Sequence, residues 1–160
     1  MIEMTPAQVA EFLRRSYTAV DGLWFLKAEE RYGFDTALDI DEEVWKVFPR
    51  IQVRMLKRLT EVATGCDALL ECLSAKLNAE NFRFHTEPIR NDSFNLVVTD
   101  CPWHRLMVKS GRENLSGKVG TRICRTEYSV WAAEFGCRLH FDNTPRICTG
   151  GQSCLLHFDV

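Results

Sequence analysis

Seven cysteines stand in this chain of 160 residues, and five of them, Cys101, Cys124, Cys137, Cys148 and Cys154, fall in its last sixty positions. Cys124 and Glu127 are three residues apart in a segment with helical character, so both side chains leave one face of the helix. Trp131, one turn further on, extends that face. Cys148 and Cys154 flank Thr149-Gly150-Gly151-Gln152-Ser153, whose paired glycines permit the sharp reversal needed to aim both sulfurs at one point. Three thiolates and a carboxylate make a reasonable four-donor set for zinc, with iron as the alternative. The spacing is not that of a zinc ribbon, since no C-x-x-C pair occurs. The same residues also read as thiols buried as small apolar groups, or, for Cys148 and Cys154, as a disulfide.

A second chemistry is offered by Cys101-Pro102-Trp103-His104. A thiol just before a helix gains from the helix dipole, which favours thiolate, and His104 stands close enough in sequence to act as its base. No orienting acid or amide is identifiable, so a structural cysteine is the competing reading. On the C-terminal strands, parity lets Cys137 share a face with Cys154, or His140 with His157, but not all four; the histidines read as an exposed cross-strand pair. In the N-terminal half, Trp24, Glu29 and Trp45 gather aromatics and acid on helical segments. Together with Trp131 they are candidates for a ligand-pocket wall, and equally for core.

The elements that must position these groups can be read from periodicity. Thr5-Pro6 caps a helix running to about Ala19, and Asp21 starts another that Gly33 ends. A third helix from Asp35 or Asp39 carries the stripe Ile40, Val44, Val47, Ile51, Met55, Leu59, expected to face the core and to kink or divide at Pro49. Gly65 precedes a fourth helix with Leu69, Leu70, Leu73 and Leu77. Alternation then takes over at Phe82, Phe84 and Thr86 and again at Phe94, Leu96 and Val98, a hairpin turning through Pro88-Ile89-Arg90-Asn91-Asp92. A short helix follows from Trp103 to Ser110, and a longer one from Lys118 or Thr121 to Phe135, stopped by Gly136. Strands at 137–142 and 153–159 close the chain, joined through Asn143-Thr144-Pro145. The expected architecture is α+β: one domain over residues 1–160, with a helical part at 1–79 and, at 80–160, the hairpin, helices and two C-terminal strands, helices packed on an antiparallel sheet.

Composition narrows the partners. With a formal net charge of −2 and a pI near 6.1, the chain has no electrostatic footprint for nucleic acid. Arg50, Arg54, Lys57 and Arg58 read as a solvated helix face. No apolar run approaches the length of a membrane span and the N-terminus lacks secretory features, so a cytoplasmic protein with reduced thiols is expected.

The stretch from Cys101-Pro102 through Cys124-x-x-Glu127 to Gly150-Gly151-Gln152-Ser153-Cys154-Leu155-Leu156-His157-Phe158 resembles the C-terminal half of the L-2-amino-thiazoline-4-carboxylic acid hydrolase-like family. Asp21-Gly22-Leu23-Trp24-Phe25, with Glu29, Gly33, Ala37, Asp41 and Val44-Trp45, is similar to related uncharacterised bacterial and archaeal proteins. The ending also resembles the 4-vinyl reductase type of sensor domain. That likeness implies that Glu127, Cys148 and Cys154 match the ligands of a structural zinc, with Cys124 as the fourth, beside a pocket for a small ligand in a domain often paired as a homodimer. Where the hydrolase-like proteins tend to carry Asp this chain has Glu127, and its extra thiol at Cys148 favours metal over hydrolytic chemistry. The expectation is a small-molecule-binding or sensor-like domain with a Cys/Glu metal site. The alternative is a cysteine-dependent hydrolase of a small cyclic or thio compound, working through Cys101 and His104.

Overall fold

The computed structural model describes residues 2–61, 63–90, 92–141 and 144–160. Expectations at Asn91, Asp142 and Asn143 lie outside the described residues. The chain divides into two units, Met1–Asp41 and Glu42–Val160.

The first unit is helical. Helix α1, Pro6–Tyr32, opens on a capping box in which the Thr5 hydroxyl accepts from the Gln8 amide and the Gln8 side chain accepts from the Thr5 amide. Glu11 pairs with both Arg14 and Arg15 in the next turns. The break expected near Asp21 does not occur, and the two predicted helices are one. A single interior glycine at position 22 costs only about 1 kcal/mol relative to alanine, too little to end a helix that contains no interior proline. Gly33 does end it: its φ of +84° is open to glycine and its amide closes on the Glu29 carbonyl. Phe25 and Phe34 then meet edge to face across the turn at 5.8 Å.

Helix α2, Phe34–Thr60, is one helix with Pro49 inside it, so it does not divide there into two. Its stripe is also reversed. Val44, Val47, Ile51, Met55 and Leu59 are all exposed, whereas Trp45, Pro49 and Val53 on the flanking rows are buried. Both rows are apolar, so hydrophobicity alone does not select between them. The selection comes from polar anchors. Glu42 binds the Arg122 guanidinium (Nε–Oε2 2.7 Å) and the Thr126 hydroxyl (2.8 Å), and Lys57 donates to the Glu134 carbonyl at 2.8 Å while lying over the Phe135 ring. Lys57 thus sits at the negative end of a helix dipole rather than on a solvated face.

The second unit then follows the α+β order read from the sequence. Helix α3, Cys66–Ala79, leads into strands β1, Arg83–Arg90, and β2, Ser93–Asp100. Helices α4, Pro102–Lys109, and α5, Glu113–Glu134, come next. Strand β3, Arg138–His140, a 3-10 turn at Ile147–Thr149 and strand β4, Cys154–Asp159, end the chain. The sheet is antiparallel in the order β1-β2-β4-β3, with the last strand inserted beside β2. The β1 strand extends through Pro88, which was expected in the turn. As an edge strand it tolerates a residue with no amide proton, and its register shifts there.

Alternation gives the sheet an inner face of Phe94, Leu96 and Val98 on β2 and Leu156 and Phe158 on β4, all buried. Leu69, Leu73 and Leu77 of α3 and Tyr128, Trp131 and Phe135 of α5 close over it as one core. Phe94 and Phe158 stack at 4.9 Å between centroids. The Gly65 amide donates to the Phe135 carbonyl at 2.8 Å, pinning the start of α3 to the end of α5. No helix among the described residues is long and apolar enough to cross a membrane. Replacing Phe158 by Ala should cost about 3–5 kcal/mol of stability, read as a lowered denaturation midpoint in urea.

Candidate functional site

Four segments bring a cysteine each to the junction of α4, α5 and the start of β4. Cys101 is the N-cap of α4, with no capping hydrogen bond from its side chain, and the nearby amides of Trp103 and His104 favour its charged form. Cys124 lies in the middle of α5. Cys148 sits in the 3-10 turn, and Cys154 opens β4 on its inner face, opposite Val98. The turn is built locally: the amides of Thr149 and Gly151 both close on the Arg146 carbonyl, at 2.8 and 2.7 Å, and Gly150 takes the left-handed conformation. The Ile147 amide donates to the Cys154 sulfur at 3.4 Å, so the two ends of the loop are joined at the site.

Two glycines explain how the turn reaches the helix. A Cβ on Gly120 would lie 2.8 Å from the Cys148 sulfur, and one on Gly117 would lie 3.2 Å from the Cys148 carbonyl oxygen. Residues 117, 120, 124, 127 and 131 advance by threes and fours along one face, so a glycine notch leads into the thiols. These glycines suggested a helix starting only at Lys118 or Thr121. In the structure they lie inside α5, where close approach outweighs their poor propensity.

Burial pushes Cys101 up to about 11, outweighing the two amides that pull the other way. Burial also raises Cys124 well above an ordinary thiol, with Cys101, Glu127, Cys148 and Cys154 adding to it. Burial raises Cys148 and Cys154 as well, against a lowering by Arg146 at Cys148 and by the Ile147 amide at Cys154. The thiolate expected at Cys101 from its helix position is therefore disfavoured. His104 meets Ser116, Nδ1 to Oγ at 2.8 Å.

Beneath the thiols, Glu127 is committed elsewhere. Its Oε1 lies 2.5 Å from the Lys76 ammonium, and Glu80 approaches the same ammonium at 3.1 Å. Lys76 and Glu127 are both 5% exposed. Burial pulls the Lys76 pKa down, but the charges of Glu127 and Glu80 outweigh it and raise it overall. The sequence carried a sign of this pair that periodicity alone passed over: Lys76 stands three residues after Leu73, on the buried face of α3. Among the described residues, the three metal-type donors lying within 4.8 Å of one another are His140, His157 and Asp159, on the other face of the sheet, and not the thiols.

The expected pocket residues divide between the two units. Trp24, half exposed, and Glu29 belong to the first. Trp45, buried, meets Trp103 and Phe48 edge to face in the second. Trp131 is a core residue stacked on Phe135, and its indole N–H finds no acceptor among the described residues. Cys137 meets Cys66, sulfur to sulfur at 3.1 Å, rather than Cys154.

Changing Glu127 to Ala should cost about 3 kcal/mol, because it removes the nearer of the two carboxylates on a buried ammonium and leaves Glu80 alone there. Replacing Lys76 and Glu127 together by apolar residues of similar volume should recover most of that loss, measured by denaturant melts of the single and double variants. The lysine's contribution is fully present below its ordinary value of 10.5 and is lost as pH rises through the higher folded value.

No curated protein and no solved structure matches the chain. A family model described as "Family of unknown function (DUF6125)" matches residues 6–148, a span that takes in Cys101, Cys124, Glu127 and Cys148. With most of its residues inside that match, the chain belongs to DUF6125, a family of unknown function.

Proposed function

We propose that the protein is a small-molecule-binding, sensor-like domain in which Cys101, Cys124, Cys148 and Cys154 hold a structural zinc ion, with iron as the alternative. The observation that supports this reading is the seating of the Cys148 sulfur at the Gly120 notch, one turn from Cys124 on the same face of α5, with the Cys154 sulfur held by the Ile147 amide of the same 3-10 turn. Soft sulfur donors select zinc and iron. Cys101 takes the fourth position in place of Glu127, whose carboxylate is spent on Lys76. The donor chemistry fits a metal, while the spacing is looser than a closed sphere, in which sulfurs on zinc stand about 3.8 Å apart. When bound, the ion would act as a cross-link among α4, α5, the 3-10 turn and β4, contributing folding free energy.

The small-molecule part of the proposal rests on the likeness of the C-terminal motifs to sensor domains. The buried Trp131 N–H on α5 adds a core donor that has no acceptor among the described residues. Hydrolysis through Cys101 gains less support, since burial holds that thiol protonated and His104 is turned to Ser116. The reading goes with a reducing compartment, the cytoplasm, where seven thiols persist.

A second copy of the chain is the partner this reading adds. The exposed residues Val44, Val47, Ile51, Met55 and Leu59 form a continuous stripe over four turns of α2, the pattern of a helix–helix seam.

Elemental analysis of protein purified without added metal should find about one zinc or iron per chain. Changing Cys154 to Ser should remove the ion and lower the melting temperature. Metal-free protein whose melting is indifferent to that change would end the metal reading. Sedimentation should give a dimer that Ile51→Glu converts to monomer; a wild-type monomer removes the partner.

A further inference from the structure

The outer face of the sheet carries a row of polar side chains that the thiol cluster does not use. Glu87 on β1 is in register with Asn95 on β2, Asn95 with His157 on β4, and His157 with His140 on β3. One line thus crosses all four strands, with side chains directed away from the core. Asp159 stands two residues along β4 on the same face.

The hydrogen bonds along this line have a direction. The Glu87 carboxylate only accepts, so the Asn95 amide must turn its NH2 toward it, Nδ2 to Oε2 at 3.3 Å. The Asn95 amide oxygen then faces His157 Nδ1 at 3.0 Å and has no proton to give. His157 must therefore carry its proton on Nδ1, which leaves Nε2 with a free lone pair. An imidazole whose other nitrogen donates to a fixed acceptor is the usual state of a metal-ligating histidine.

The remaining donors are already gathered. Donor atoms of His140, His157 and Asp159 all lie within 4.8 Å of one another. His140 Nε2 is 2.8 Å from Asp159 Oδ2, and the two imidazole centroids are 5.2 Å apart. Donors in adjacent positions around a metal bound at about 2.1 Å stand about 3 Å apart. Arg138 is the nearby cation that would oppose an ion, but its Nε approaches the other carboxylate oxygen, Oδ1, at 3.6 Å, and it donates to the Val160 carbonyl. Oδ2 is left to the histidines.

We propose that His140, His157 and Asp159 form a binding site for a divalent first-row transition-metal ion on the outer face of the sheet, with Asn95 and Glu87 as positioning residues that set the tautomer of His157. Two imidazoles and one carboxylate suit zinc, nickel, copper or cobalt. The half-exposed His140 leaves the remaining coordination positions to water. The ion would take the place of the His140 Nε2–Asp159 Oδ2 hydrogen bond, the imidazole proton moving to Nδ1 or leaving to solvent, and would link β3 to β4.

Cobalt(II) separates this site from the thiols, because cobalt on thiolates shows intense sulfur-to-metal charge-transfer absorption and cobalt on imidazole and carboxylate does not. Titrating the full-length reduced chain should reveal a cobalt equivalent without that absorption. Its affinity should fall roughly tenfold or more in His140→Gln and in His157→Gln, fall less in Asn95→Leu, and stay unchanged in Cys154→Ser. His140 is half exposed, so its variant tests the site even where His157→Gln perturbs folding. Cobalt affinity within twofold of wild type in both histidine variants, or uptake seen only with the thiolate absorption, would overturn the proposal.

Discussion

A lysine can be taken out of water only if carboxylates go with it, and this constraint fixes the centre of the second unit. Lys76 on α3 is matched by Glu127 on α5 and by Glu80 one turn along its own helix. An isolated buried ammonium costs several kcal/mol, so only one register of α3 against α5 is acceptable. Apolar side chains on the two helices tolerate small slips; the ion pair does not. Once α5 is held there, its glycine notch faces the 3-10 turn, and the Cys148 sulfur is seated one turn from Cys124.

The sheet divides the chemistry of the molecule by parity. Inward positions on β2 and β4 carry Phe94, Leu96, Val98, Cys154, Leu156 and Phe158. Outward positions carry Asn95, His157 and Asp159, aligned with Glu87 and His140 on the edge strands. Since successive side chains on a strand point to opposite faces, the soft sulfur donors lie on the core side and the imidazoles on the other. Thiol and imidazole side chains of β4 are thereby kept on opposite faces of one sheet.

Helix α2 shows how polar contacts choose between equivalent apolar surfaces. The row Val44, Val47, Ile51, Met55, Leu59 and the row Trp45, Pro49, Val53 are both hydrophobic at helical spacing. Glu42 and Lys57 engage α5 near the two ends of this segment, and the second row is the one turned inward. The row with the more regular spacing is left outside, which is why a hydrophobic pattern taken alone assigned the core to the wrong side.

Much of the fold was legible before any coordinates, because its signals are local. The helix ends at Gly33, Gly65 and Gly136, the Thr5-Pro6 cap, the alternating strands and the Cys101-Pro102 helix start follow from backbone sterics and side-chain parity within a few residues. So did the face shared by Cys124, Glu127 and Trp131, and the cross-strand partnership of His140 with His157. The early start of α5, the inward face of α2 and the partner of Glu127 were not legible. Each depends on a group far away in the chain: Cys148 against Gly120, Arg122 against Glu42, Lys76 against Glu127. Periodicity names the faces an element possesses, whereas a buried charge and its single compatible partner decide which of those faces meet.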